Sequence, residues 1–190
     1  MKRIDGKNTK SNPELNKKEK EIIYNEYFKN LELWSKLAKK AINIPIVSED
    51  GVLDLRKLSS KQKKFIVSNH DFMDFLFMRS RIGLRTESHK DIHRKKYNFK
   101  YRLCAGYTGF IATLAKLLDP KNDVVIYFGT ATVIEAINKE EINKSTEHFW
   151  VTINGELFDN SNVDKCAYTN YEPVFKIQDI ISGSFNLESI

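Results

Sequence analysis

Cysteine is scarce in this chain, with two among 190 residues. That argues against a disulfide-stapled scaffold and fits a reducing compartment, so a cytoplasmic address is expected. Also missing is any run near the roughly 18 consecutive apolar residues of a spanning helix, so no membrane span is expected. The amino terminus, MKRIDGKNTKSNPELNKKEK, is basic but has no apolar stretch behind it, which leaves no visible secretory signal. Zinc-finger spacing, a ribonucleoprotein motif and a recognisable helix-turn-helix are absent too, as are internal repeats and low-complexity segments. Acidic residues are outnumbered, 25 against 31 basic ones, for a formal net charge of +6.

What is present suffices for a core. Apolar residues make up 41% of the chain and aromatics 12%, ordinary values for a globular domain. Residues 1–18 are polar, basic and poor in large apolar side chains, and are expected to form a tail. Residues 19–190 are then a single domain, with a helical part over 19–100 and a catalytic core over 100–165. The positive charge is concentrated between Arg79 and Arg102, where only Glu87 and Asp91 oppose it. Such a block is commonly a solvated face; it also suits an acidic partner protein, with nucleic acid the less favoured alternative.

Apolar residues at three- and four-residue spacing (Ile23, Tyr27, Leu31, Trp34, Ala38) predict an amphipathic helix from Lys20 to Ile42, stopped by Pro45. Residues 48–51, SEDG, read as a turn, and Ser59 with Gln62 as a capping box. Ser68 with Asp71 repeats that pattern before an aromatic-rich helix, and 83–102 reads as a basic connection. AGYTGFIATLAKLLD is a broad apolar helix from Ala105, ended by Pro120. DVVIYFGTATVI is a strand with Gly129 as a candidate bulge. NKEEINKSTE is expected to link it to a hairpin, and Tyr168–Ile190 to add a strand or short helix. The order predicts an α+β fold, with helices packed on one face of an antiparallel sheet.

The hairpin is the informative segment. In EHFWVTINGELFDNS, Asn154-Gly155 suits a type I′ turn, which places Ile153 opposite Glu156, Trp150 opposite Asp159 and His148 opposite Ser161. His148, Trp150, Thr152, Leu157 and Asp159 then share a face, with His148 and Asp159 diagonal neighbours. Cys104 opens the apolar helix, where unpaired N–H groups favour a thiolate and an oxyanion alike. Gly106 and Gly109 in its first turns would let a substrate or the sheet approach closely. The competing reading of Cys104 is a small buried hydrophobe.

Cys104-Ala105-Gly106-Tyr107, His148-Phe149-Trp150 and Asp159-Asn160-Ser161 occur in that chain order. The set resembles the core of the transglutaminase-like cysteine hydrolase superfamily, over about residues 100–162. Leu103 stands where that group usually has a glycine, and no Trp follows Ser161. The resemblance implies a papain-like core with the nucleophile at the N-terminus of a central helix. It implies Cys104 as nucleophile, His148 as general acid and base, and Asp159 as the group orienting the imidazole. Trp150, Tyr107 and Gly106 are the expected substrate-binding residues. The activity implied is amide hydrolysis, deamidation or transamidation of a protein or peptide through a thioester. Two other classes stay open: a catalytically inactive binding module of that fold, and a basic protein that binds nucleic acid or an acidic protein. No cofactor is expected. His89 and His93 have a helical i, i+4 spacing but lack a third ligand, so no metal is expected either. His70 reads as structural, and Cys166 lies in a polar segment without a C-x-x-C partner, leaving pairing with Cys104 as an alternative.

Overall fold

The computed structural model describes residues 31–87, 103–137, 140–161, 167–178 and 186–189. The basic tail, His89, His93, Cys166 and the basic block beyond Glu87 lie outside these segments. Helix α1 covers 31–41 and gives way to a turn before Pro45. A small hairpin follows, β1 (Ile46–Ser48) and β2 (Gly51–Leu53), with the predicted SEDG turn at its tip. Helix α2 (Ser60–Val67) opens on the Ser59–Gln62 capping box, in which each residue's side chain satisfies the other's backbone N–H. Helix α3 (His70–Glu87) is capped one residue later than the sequence suggests. Asn69 Oδ1 accepts the Phe72 N–H at 2.9 Å, while Ser68 Oγ turns back to the Phe65 carbonyl.

Helix α4 (Leu103–Leu118) is apolar all round, and residues 104–115 are buried without exception. A helix of that composition needs packing partners on every side. Trp34 of α1 and Phe77 of α3 pack on one another and both meet Phe110 of α4. Gly106 and Gly109, three residues apart, share a helix face. A Cβ on Gly106 would lie 2.5 Å from Trp34 Nε1, and one on Gly109 would lie 2.8 Å from the Leu31 carbonyl oxygen. The glycines therefore admit α1, not a substrate or the sheet.

The main sheet is five-stranded and antiparallel, built from β3 (Val124–Ile137), β4 (Glu140–Ile153), β5 (Glu156–Phe158), β6 (Ala167–Gln178) and β7 (Asn186–Ser189), in the order β5-β4-β3-β6-β7. Ile126, Phe128, Phe149, Val151, Ile153, Phe158 and Ile177 join the helices in one apolar core, so the architecture is α+β with helices on an antiparallel sheet. Two expectations need correction. The polar segment from Glu140 is strand, not linker: it pairs with β3 throughout, and Lys144, Ser145 and Glu147 are exposed. The strand after the Asn154-Gly155 turn stops at Phe158, so the ladder never reaches Asp159. Both turn residues have positive φ, 54° and 84°, as a type I′ turn requires.

Candidate active site

The tip of the β4–β5 hairpin is fixed to the end of α4. Asn154 donates its backbone N–H to the Asp123 carbonyl at 2.8 Å, and its side-chain oxygen accepts the Asp123 N–H at 2.9 Å. Its side-chain amide also donates to Asn122 Oδ1 at 2.9 Å. Register along β4 is thereby set relative to the helix that carries Cys104. Alternation puts His148 and Trp150 on the face opposite Phe149 and Val151. His148 is 1% exposed and Cys104 8%, and the cysteine is a free thiol.

His148 has Asp159 and the Cys104 thiol as its polar neighbours. Its Nε2 lies 3.8 Å from Asp159 Oδ2, an ion-pair separation longer than a hydrogen bond. Burial favours the neutral ring, but the carboxylate and the thiol outweigh it and raise the imidazole to about 9. Burial likewise works against ionisation of Asp159, yet His148, Ser161 and Tyr171 together hold it near 2.

Asp159 reaches this position by a route the strand pattern does not contain. Its Oδ1 accepts the Ser161 backbone N–H at 2.8 Å, the Asx turn that short acceptor side chains form two residues on. That turn takes over from the ladder after Phe158. Asp159 Oδ2 accepts the Tyr171 hydroxyl.

Of the three expected substrate-binding residues, Trp150 stands beside the imidazole, with ring centroids 6.3 Å apart, and stacks on Tyr127 at 5.8 Å. Gly106 faces Trp34 of α1. Tyr107 is fully buried and donates to Asp74 Oδ1 of α3 at 2.5 Å; burial first, and then Asp74, hold its phenol protonated far beyond the usual range. The packing of α4 thus engages both. His70 sits apart from these groups, bonding Glu156 Oε1 at 2.8 Å and stacking on Phe158 at 3.8 Å.

Two tyrosines escaped the sequence reading. Tyr168 stacks on His148 at 3.9 Å with planes 15° apart, and Tyr171 packs against Trp150 at 5.1 Å. Three residues apart, they would face opposite sides of a regular strand. Between Thr130 and Thr132 of β3, however, β6 advances three residues, from Glu172 to Thr169, and Asn170 adopts φ 51°. This bulge brings both tyrosines against the imidazole. The signal in the sequence is Asn170 between the two tyrosines, a residue type that tolerates positive φ.

The pair makes stability depend on pH. His148 is raised from 6.5 to about 9, so its contribution is complete below 6.5 and is lost as pH climbs through 9. Asp159 is lowered from 3.8 to about 2, so its contribution is complete above 3.8 and is lost as pH falls through 2. Urea unfolding should therefore show the stability gap between wild type and Asp159→Asn at full size from about pH 4 to pH 6.5, shrinking from there until the His148 contribution is gone above about pH 9. A gap that does not change with pH would contradict this coupling.

Among the described residues, no group of three or more His, Cys, Asp or Glu side chains could hold a metal, and no helix is long and apolar enough to cross a membrane. No protein-family model, curated protein or solved structure matches the chain.

Proposed function

We propose that the protein is a cysteine-dependent amide hydrolase or acyltransferase of transglutaminase-like, papain-like design. The observation that carries this reading is His148 set between the thiol of Cys104 and the carboxylate of Asp159, and held as imidazolium to about 9. A proton kept on that ring at neutral pH is the one a departing amine needs.

The chemistry follows from the three groups. Cys104 Sγ attacks the carbonyl carbon of a carboxamide and its electron pair moves onto the oxygen. That oxyanion meets the Cys104 backbone N–H, one of the first four in α4 and so without an intrahelical partner. The intermediate collapses as the imidazolium gives its proton to the departing amine, leaving a thioester on Cys104 and a neutral His148. Neutral His148 then takes a proton from water, which gives hydrolysis or deamidation, or from an amine, which gives transamidation. Asp159 fixes the imidazole orientation and balances its charge in each half-reaction. Substrates are protein or peptide amides, and an acidic partner suits the net charge of +6.

The thioester is the diagnostic species. Incubation with an activated acyl ester, followed by acid quench and intact-mass measurement, should show one acyl group on Cys104. Hydroxylamine should remove it, and His148→Ala should accumulate it at least about 100-fold more slowly. Acylation at an equal rate in wild type and His148→Ala would rule the mechanism out.

A further inference from the structure

We infer that Tyr171 is a positioning residue for the Asp159 carboxylate, and through it for His148. The catalytic consequence rests on the function proposed above; the geometry does not.

Asp159 lies beyond the last paired residue of β5, so no ladder hydrogen bond fixes its backbone in the sheet. Its orientation depends on donors to its two oxygens. Ser161 holds Oδ1. Oδ2, the oxygen nearest His148 Nε2, takes the Tyr171 hydroxyl, while Nε2 itself is 3.8 Å away. Without the phenol, Ser161 alone anchors the carboxylate, and Oδ2 is free to turn away from Nε2.

Tyr171 is well placed for this task. It rides on β6 beside Glu172, which pairs with Thr130 of the central strand β3. The bulge at Asn170 turns it toward the site. Trp150 and His148 flank its ring, with centroids at 5.1 Å and 6.1 Å. Burial first, and then Asp159, push its phenol well above the ordinary tyrosine range, so it remains a donor wherever the enzyme works. The groups facing Asp159 are His148 from β4, Tyr171 from β6, Ser161 from its own turn and Tyr107 from α4, itself engaged by Asp74 of α3, while Cys104 faces His148.

The test is an NMR titration of the His148 ring in the full chain. The wild-type midpoint should lie near 9. Tyr171→Phe keeps the ring and removes one oxygen, and should lower that midpoint by about one unit or more, a tenfold loss of preference for the imidazolium. Asp159→Asn should lower it at least as far, and adding Tyr171→Phe to Asp159→Asn should change it no further. A Tyr171→Phe midpoint equal to wild type, or an undiminished shift in the double variant, would overturn the inference. If Tyr171→Phe alone does not fold but the double variant does, the phenol is needed only while Asp159 is charged, which supports it; if neither folds, the role is structural packing and the inference fails. These titrations need no substrate. Absence of a thioester would therefore sink the proposed function and leave this result standing.

Discussion

By the mechanism proposed above, Cys104→Ala should lower turnover by roughly 10⁴-fold or more while the protein still folds. The magnitude follows from what is lost: without the sulfur no thioester forms, and only binding and backbone donors remain to act on the carbonyl. His148→Ala should cost about as much, and the double variant no more than either single one, because the groups act as a unit. The effects on stability should differ. Cys104 is small, and its truncation removes one atom at the end of a helix, a cost of roughly 1 kcal/mol. His148 is sandwiched between Tyr168 and Trp150, and its removal leaves a void and an unbalanced Asp159. Kinetics on a reporter amide together with thermal melts check both halves. Turnover within tenfold of wild type for Cys104→Ala would end the case for a nucleophilic thiol.

The second large effect is on stability, from a residue with no side chain. Gly129 pairs with His148 on one side and Pro173 on the other, at a register slip between β3 and β6. A Cβ there would overlap the Glu172 carbonyl oxygen and lie 2.9 Å from Pro173 Cα, both parts of a backbone that cannot rotate away. Gly129→Ala should therefore destabilise the fold by roughly 3 kcal/mol, lowering the melting temperature by on the order of 10 °C. Relief requires β6 to move outward, and Tyr171 lies two residues from Pro173, so the imidazole titration should shift as well. Gly155→Ala is the contrast. Its φ of 84° is strained for alanine, but nothing lies within 4 Å of a new Cβ, so its cost should stay near 1 kcal/mol. Equal melting temperatures for the two variants would show that the sheet yields at the bulge.

Local signals in the sequence were sound wherever a few neighbouring residues decide the geometry. The Asn154-Gly155 turn, the Ser59–Gln62 capping box, the helix after Cys104 and the bulge at Gly129 are of this kind. Features decided by distant partners were not legible. Residues 140–147 are mostly polar, with Lys144, Ser145 and Glu147 exposed, and a polar strand resembles a linker. The end of β5 at Phe158 reflects Asp159 bonding to Ser161, a local hydrogen bond that competes with the ladder. Gly106 suggests an approaching ligand equally well as an approaching helix, and only the position of Trp34 decides between them. The tyrosines around His148 depend on an extra residue in β6, which breaks the period-two alternation that assigns side chains to faces.

The two glycines of α4 bear on how this molecule can be divided. Because Trp34 and Leu31 fill the space where their side chains would be, a fragment starting at Leu103 would open a cleft along the back of the cysteine-bearing helix. A truncation that removes α1 would therefore unpack the helix that carries Cys104, and the two helices are inherited together.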